Sequence, residues 1–216
     1  MTFRILLVAA ATAAMSLTLA RPCDAQVNER LKPLVADARL TLARFKEDGG
    51  IAGAIGVTPD NLPTRGLGFL FGAHWYPLRG SKVSLGIGGE FLRVRDTRTL
   101  DPEDEDDPEG PTVETRLSLL APQVSLNFGR RDGWSYISGG IGSATLTAER
   151  VDRPVSEGSR VRTINYGGGA RWFTNKHIAV SVDLRFYSVD AQPGTLTRPA
   201  YPKSKMMVIS GGIALR

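Results

Sequence analysis

The sequence predicts an all-β fold: an eight-stranded antiparallel up-and-down transmembrane β-barrel, preceded by a cleaved signal peptide. Three observations predict it. Eight stretches of the chain alternate apolar and polar residues at period two. The gaps between them run long, short, long, short, long, short, long, the rhythm of tight turns at one rim and long loops at the other. The 24 glycines in 216 residues exceed the usual ~7 %, and many lie inside the alternating stretches, as a narrow lumen requires.

The start of the chain reads as an export signal. Arg4 supplies the charged start, residues 5–20 are apolar or small, and Cys23 and Ala25 occupy positions −3 and −1 of a cut before Gln26. This divides the chain into a signal peptide (1–25), a short lead (26–33) and the barrel (34–216). No other apolar run approaches the ~20 residues of a membrane helix. The single cysteine, Cys23, falls within the signal, so the exported chain has neither a disulfide nor a thiol nucleophile. The net charge of +5 is dispersed, with no basic helix or aromatic-interleaved stripe, which excludes a nucleic-acid partner.

Each strand is argued from its faces. In residues 34–45, Leu34, Ala36, Ala38, Leu40 and Leu42 oppose Asp37, Arg39 and Thr41. An amphipathic helix through Leu31, Val35, Ala38, Leu42 and Phe45 competes. The strand completes an even count, and residues 51–58 are the substitute if it fails. Residues 66–76 set Leu67, Phe69, Phe71, Ala73 and Trp75 against Gly66, Gly68, Gly72 and His74. Residues 82–95 set Val83, Leu85, Ile87 and Phe91 against Ser84, Gly86, Gly88 and Glu90. Residues 112–128 end with Pro122, Val124, Leu126 and Phe128 opposite Gln123, Ser125 and Asn127.

Residues 134–149 are rich in Gly and Ser, and their facing stays open. Residues 161–173 set Ile164, Tyr166, Ala170 and Trp172 against Asn165, Gly167, Gly169 and Arg171. Residues 178–188 alternate most cleanly, with Ile178, Val180, Val182, Leu184 and Phe186 against Ser181, Asp183, Arg185 and Tyr187. Residues 205–215 close the set with Met207, Ile209, Ile213 and Leu215.

The short connections, 77–81, 129–133 and 174–176, carry the Gly, Asn and Asp of hairpin turns. A three-residue last turn sets Phe173 opposite His177 and Gly167 opposite Asp183. The aromatics Trp75, Tyr76, Phe128, Trp134, Trp172 and Phe173 gather at the short-turn ends, where an aromatic girdle belongs. Lipid offers backbone groups no hydrogen-bonding partner, so every strand edge must pair and the sheet must close.

Arg39, Glu90, Arg171, Asp183 and Arg185 share the polar face and define the expected charged network of the lumen. Eight strands enclose an interior only wide enough for side chains, so these charges must pair. The Val182 face is expected toward lipid, with lysine at the lumen position Ser181 tolerated better than arginine at Val182. The densest charge run is Asp101, Glu103, Asp104, Glu105, Asp106, Asp107 and Glu109, in a long loop. Its carboxylates could take divalent cations, but the D-x-D-x-D-G spacing is missing and two prolines interrupt it, so a solvated loop is expected. His74 beside Ser84 or Glu90 is the one candidate for base chemistry; both it and His177 fall near the short-turn rim. No catalytic residue, metal site or cofactor is expected.

The run Asn165-Tyr166-Gly167-Gly168-Gly169-Ala170-Arg171-Trp172-Phe173, with residues 178–188 and the terminal strand, resembles the small outer-membrane β-barrel proteins of the OmpA, OmpX and OmpW-like group. The chain ends Ala214-Leu215-Arg216, without the aromatic on which such proteins commonly close. The resemblance implies an outer-membrane location, with membrane lipid, lipopolysaccharide and the barrel-insertion machinery as partners. The function expected is non-catalytic: envelope integrity or surface contact through the long loops. A narrow conduit for small or apolar solutes is the alternative, which an apolar lumen gate would favour; a secreted soluble barrel binding a small ligand is more remote.

Overall fold

The computed structural model describes residues 32–80, 82–102, 110–130, 133–152, 158–194 and 200–216. The expected signal peptide and most of the acidic run, residues 103–109, lie outside them.

Eight strands form one closed barrel in sequence order: β1 (Leu34–Arg44), β2 (Arg65–Arg79), β3 (Val83–Thr99), β4 (Thr112–Arg130), β5 (Gly133–Arg150), β6 (Val161–Phe173), β7 (Ile178–Val189) and β8 (Ser204–Leu215). All neighbours are antiparallel, and β1 closes the ring on β8 from Ala36↔Leu215 to Arg44↔Met207. Residues 34–44 are therefore strand, because a helix there would leave the facing edges of β2 and β8 unpaired. Residues 51–58 are not a spare strand. They fall in and after a short helix, α1 (Gly49–Ala54), which Asp48 caps by accepting from the Gly50 and Ile51 amides at 2.8 and 3.2 Å.

Facing follows period two throughout. In β7 the even-numbered Ile178 to Phe186 are exposed, while Ser181, Asp183, Arg185 and Tyr187 are buried inside. The open case, β5, turns Trp134, Tyr136, Ser138, Ala144, Leu146 and Ala148 inward and leaves Ile137 and Ile141 outside. The outer wall is a continuous apolar belt that includes Leu40, Phe71, Val124, Ile137, Val182 and Ile209.

Two of the short turns are tighter than sequence spacing suggested, and the last is longer. β2 runs on to Arg79 through a register shift between Trp75 and Leu78. At the next turn the strands extend to Arg130 and Gly133, and Gly129 adopts φ 127°. A Cβ there would lie 2.3 Å from the Gly133 carbonyl oxygen, so only glycine fits. The last hairpin departs from the expected pairing by two residues: Phe173 faces Ala179 and Gly167 faces Arg185. Thr174 donates its amide to Ile178 at 3.0 Å, and Asn175 Oδ1 accepts from the His177 and Ile178 amides. The Asx turn thus takes His177 into the loop. An even shift leaves every side chain on its expected face.

The aromatic girdle is half of what the spacing implied. Trp75, Phe128 and Trp172 face outward, whereas Tyr76, Trp134 and Phe173 point into the barrel. The inner three alternate with the outer ones along their strands, a distinction that rim position alone does not make.

Candidate functional site

The lumen brings together six buried charged side chains among the described residues, and it is filled in layers. At the short-turn end Trp134 packs on Phe173 with ring centroids 5.0 Å apart and edge-on against Tyr76 at 6.2 Å. Val35, Ala179 and Ala214 complete this plug. The Arg216 guanidinium carbon lies 3.8 Å from the Phe173 ring centroid.

Above the plug sits a charged belt. Arg171 on β6 forks onto Asp37 on β1, with Nε donating to Oδ1 at 2.9 Å and Nη2 to Oδ2 at 2.7 Å. Arg39 reaches the same carboxylate at 2.7 Å, approaches Asp183 at 3.6 Å and donates to Ser181 Oγ at 3.2 Å. Arg185 Nε lies 3.2 Å from Glu90 and 2.9 Å from Asp183, both ion contacts without hydrogen-bond alignment. Tyr136 donates to Asp183 at 2.6 Å and Tyr187 to Glu90 at 2.9 Å. Three guanidinium groups face three carboxylates, so the belt is neutral. All six of these side chains are at most 4 % exposed, and burial at that level is tolerable only with such pairing.

Glycines make the room. At Gly169 a Cβ would stand 2.7 Å from the Tyr136 hydroxyl, and at Gly167 another would stand 2.7 Å from Arg185 Cγ. Gly167-Gly168-Gly169 is therefore a space-making run in a strand wall. It does not cradle a phosphate. The Tyr136 ring also lies 4.2 Å under the Arg171 guanidinium carbon.

The long-loop half of the lumen is lined by an apolar cluster, where the charged faces of the strands had pointed to a polar interior. Leu70, Leu92, Val94, Leu117, Leu119, Leu146, Met206 and Val208 pack there as one buried cluster. Over its mouth lies a cap: Ile51 and Ala52 of α1, with Leu62, pack on Val113, Ala148 and Tyr201.

The structure brings Arg39, Glu90, Arg171, Asp183 and Arg185 into one belt. It adds Asp37, Tyr136 and Tyr187, which the sequence reading had not placed in the network. Asp37 was legible, since it shares the polar face of β1; Tyr136 was not, because β5 carries small residues on both faces. His74 is buried and stacks on Tyr76, with ring centroids 6.3 Å apart. No hydrogen bond joins it to Ser84 or Glu90. His177 lies exposed in its turn, 2.9 Å from Lys32 Nζ. Asp101 is exposed, and the remaining acidic-run residues lie outside the described ones. Among the described residues no group of three His, Cys, Asp or Glu could hold a metal ion.

No family model matches this chain, and no curated protein matches its sequence. Solved structures do match. Neisserial surface protein A superposes with a TM-score of 0.55 at 9 % identity, covering 84 % of this chain and 96 % of that one. Ail, the attachment invasion locus protein of Yersinia pestis, gives 0.45 at 13 % identity over 85 % and 99 % of the two chains. The outer membrane protease OmpT of Escherichia coli gives 0.45 at 10 % over 85 % and 96 %.

The fold is that of a small outer-membrane β-barrel. Such a barrel turns its apolar face outward to lipid and its polar face inward, and here the inward face is charged across the belt and largely apolar in the cluster above it. Beyond the wall, the Asp190 carboxyl after β7 is held below the usual carboxylate range by a hydrogen bond from Lys203 at 3.1 Å, with Arg162 at 3.4 Å adding to it. This contact ties the start of β6 to the approach of β8 on the long-loop side.

Proposed function

We propose that this protein is an outer-membrane barrel with a closed lumen, which anchors long external loops for envelope integrity and surface contact and carries out no catalysis. The observation that supports this most directly is the interior filled from end to end: aromatic plug, neutral charged belt, apolar core and loop cap. A barrel packed in this way works as a rigid foundation for its loops. The acidic loop is the part of that surface suited to divalent cations, and lipid surrounds the apolar belt. The non-catalytic reading draws on the histidines: His74 is sealed inside near the short turns and His177 lies in one of those turns, both away from the long-loop rim.

The apolar core in the long-loop half is the feature that speaks for the second reading, passage of small or apolar solutes. Its residues are at most 8 % exposed and pack on one another, which favours a solid core over a gate. Planar-bilayer recording of the purified protein tests the choice. The expected trace has no steady conductance; a stable open channel would replace the closed-barrel reading with the conduit.

A further inference from the structure

The outer wall carries two adjoining hollows that the closed lumen does not use. One, of about 640 Å³, is an apolar groove in the barrel wall between Val124, Ile137, Leu184 and Phe186, where Gly139 and Gly168 contribute no side chains. The other, of about 800 Å³, opens at the long-loop rim among Arg44, Lys46, Arg65 and Lys205. They share Tyr166 and Phe186, whose rings stack at 5.5 Å.

The strand register makes these two hollows one track. Arg65 pairs with Arg44, Arg44 with Met207, Met207 with Phe186, Phe186 with Tyr166, Tyr166 with Gly139 and Gly139 with Val124. All these positions face outward. Strands in a closed barrel tilt, so a row of paired residues descends obliquely from the rim into the wall. From Arg44 to Gly139 the row crosses four strand spacings, about 19 Å at ~4.8 Å each. The upper end is cationic and the lower end apolar.

We propose that this track binds one anionic, phosphate-bearing, acylated membrane lipid, with its headgroup among the four rim cations and an acyl chain laid in the glycine-floored groove. The proposal rests on the membrane-embedded reading given above. Charge complementarity selects the headgroup: among the described residues, the side-chain cations of Arg44, Lys46, Arg65 and Lys205 have no ion-pair partner, the Asp96 carboxylate accepting instead from the Arg65 backbone amide at 2.9 Å, and Glu47 is the one acid lining their hollow. Elsewhere on the same side Arg95, Arg116, Arg162 and Lys203 are each paired with an acid. Guanidinium forks suit phosphate oxygens, and basic residues at the membrane interface attract anionic headgroups. The floor suits a chain because side chains at Gly139 and Gly168 would fill the groove. Tyr166, 60 % exposed, sits where headgroup and chain would meet, the level that an amphipathic ring prefers.

Native mass spectrometry of the folded protein, from detergent micelles doped equally with phosphatidylglycerol and phosphatidylcholine of matched chains, tests the proposal. The wild type should retain phosphatidylglycerol at least about five-fold over phosphatidylcholine, the effect of roughly one interfacial cation. Arg44→Gln/Arg65→Gln/Lys205→Gln should erase the preference, and Lys205→Gln alone should reduce it should the triple variant not fold. Val124→Trp, which fills the groove, should lower retention of both lipids. Free glycerol phosphate should displace nothing; displacement would make the rim a soluble-anion site and overturn the lipid as occupant. Equal retention of the two lipids by the wild type, a preference that survives the rim substitutions, or retention unchanged by Val124→Trp would each overturn the proposal. Heat-dependent gel mobility of the same samples reports the membrane barrel itself, so a failure of that reading registers separately.

Discussion

Arg171 and Asp37 meet across the lumen as a two-point fork, 2.9 and 2.7 Å long, that joins β6 to β1. Both side chains are sealed from solvent, and Arg39 shares the same carboxylate at 2.7 Å. Removing one partner of such a pair strands the other charge. Asp37→Asn should therefore cost about 3–5 kcal/mol, because it leaves two guanidinium groups short of a carboxylate. Asp37→Asn/Arg171→Gln, which restores neutrality, should recover part of that loss. Urea refolding in lipid vesicles measures both alongside Arg171→Gln alone; a double loss equal to the sum of the two single losses would show that the fork does not couple the two sites.

The outer wall tolerates no charge at mid-height. Val182→Arg should cost about 2–4 kcal/mol, the depth-dependent penalty for a cation facing lipid. The inner position next to it is no refuge, contrary to what its polar facing suggested. Ser181 is fully buried and its Oγ accepts from Arg39 Nε, so Ser181→Lys sets an ammonium against a guanidinium. Its loss should match or exceed that of Val182→Arg in the same refolding assay, and a smaller loss would mean the lumen is wetter than its packing implies.

The aromatic plug should matter for stability and not for sealing. Trp134 is 2 % exposed and touches both Phe173 and Tyr76, so Trp134→Ala should lose about 3–5 kcal/mol. The charged belt and apolar core above it stay in place. Bilayer recordings of this variant should remain silent, whereas current through it would identify the plug as the sole barrier.

Replacing residues 102–108 with a short Gly/Ser linker should leave folding intact. The hairpin closes beneath them: the ladder runs to Thr99↔Thr112, and the Leu100 amide donates to the Pro111 carbonyl at 3.0 Å. The replaced segment has no apolar side chains apart from its prolines, and closure entropy changes little with loop length. Heat-dependent gel mobility should be unchanged; loss of the folded band would show that this loop helps hold the strands.

Acid should loosen the connection between β7 and β8. The Asp190 carboxyl titrates below its unfolded value of about 3.9 because Lys203 and Arg162 stabilise its charged form. A depressed folded value means that the contact contributes fully above the unfolded value and is lost as pH falls through the folded one. Protection factors of the amides in residues 190–194, corrected for intrinsic exchange, should fall below the carboxylate range and be steady around neutral pH. Asp190→Asn should abolish that pH dependence, and its persistence would assign the effect to another acid.

The sequence alone was enough to outline the strands and, outside β5, their facing, because both are local. Period two places each side chain in or out whatever the neighbouring strand is, so Arg39, Asp183 and Arg185 could be put in the lumen from their own segments. Strand number followed from the alternation of long and short gaps. Partners were another matter. Which acid meets which base depends on strand stagger around the whole ring, and an even slip, as in the hairpin of β6 and β7, leaves the facing pattern untouched while changing every neighbour. Where both faces of a strand carry small residues, as in β5, alternation loses its contrast and Tyr136 could not be placed. The apolar upper lumen escaped for a related reason: Leu70 lies between the outward Phe69 and Phe71, Leu92 follows Phe91 and Leu119 precedes Leu120, so apolar residues on both faces blur the alternation there. Only closure of the barrel decided that these side chains fill its interior, because only closure turns one face of a sheet into a core.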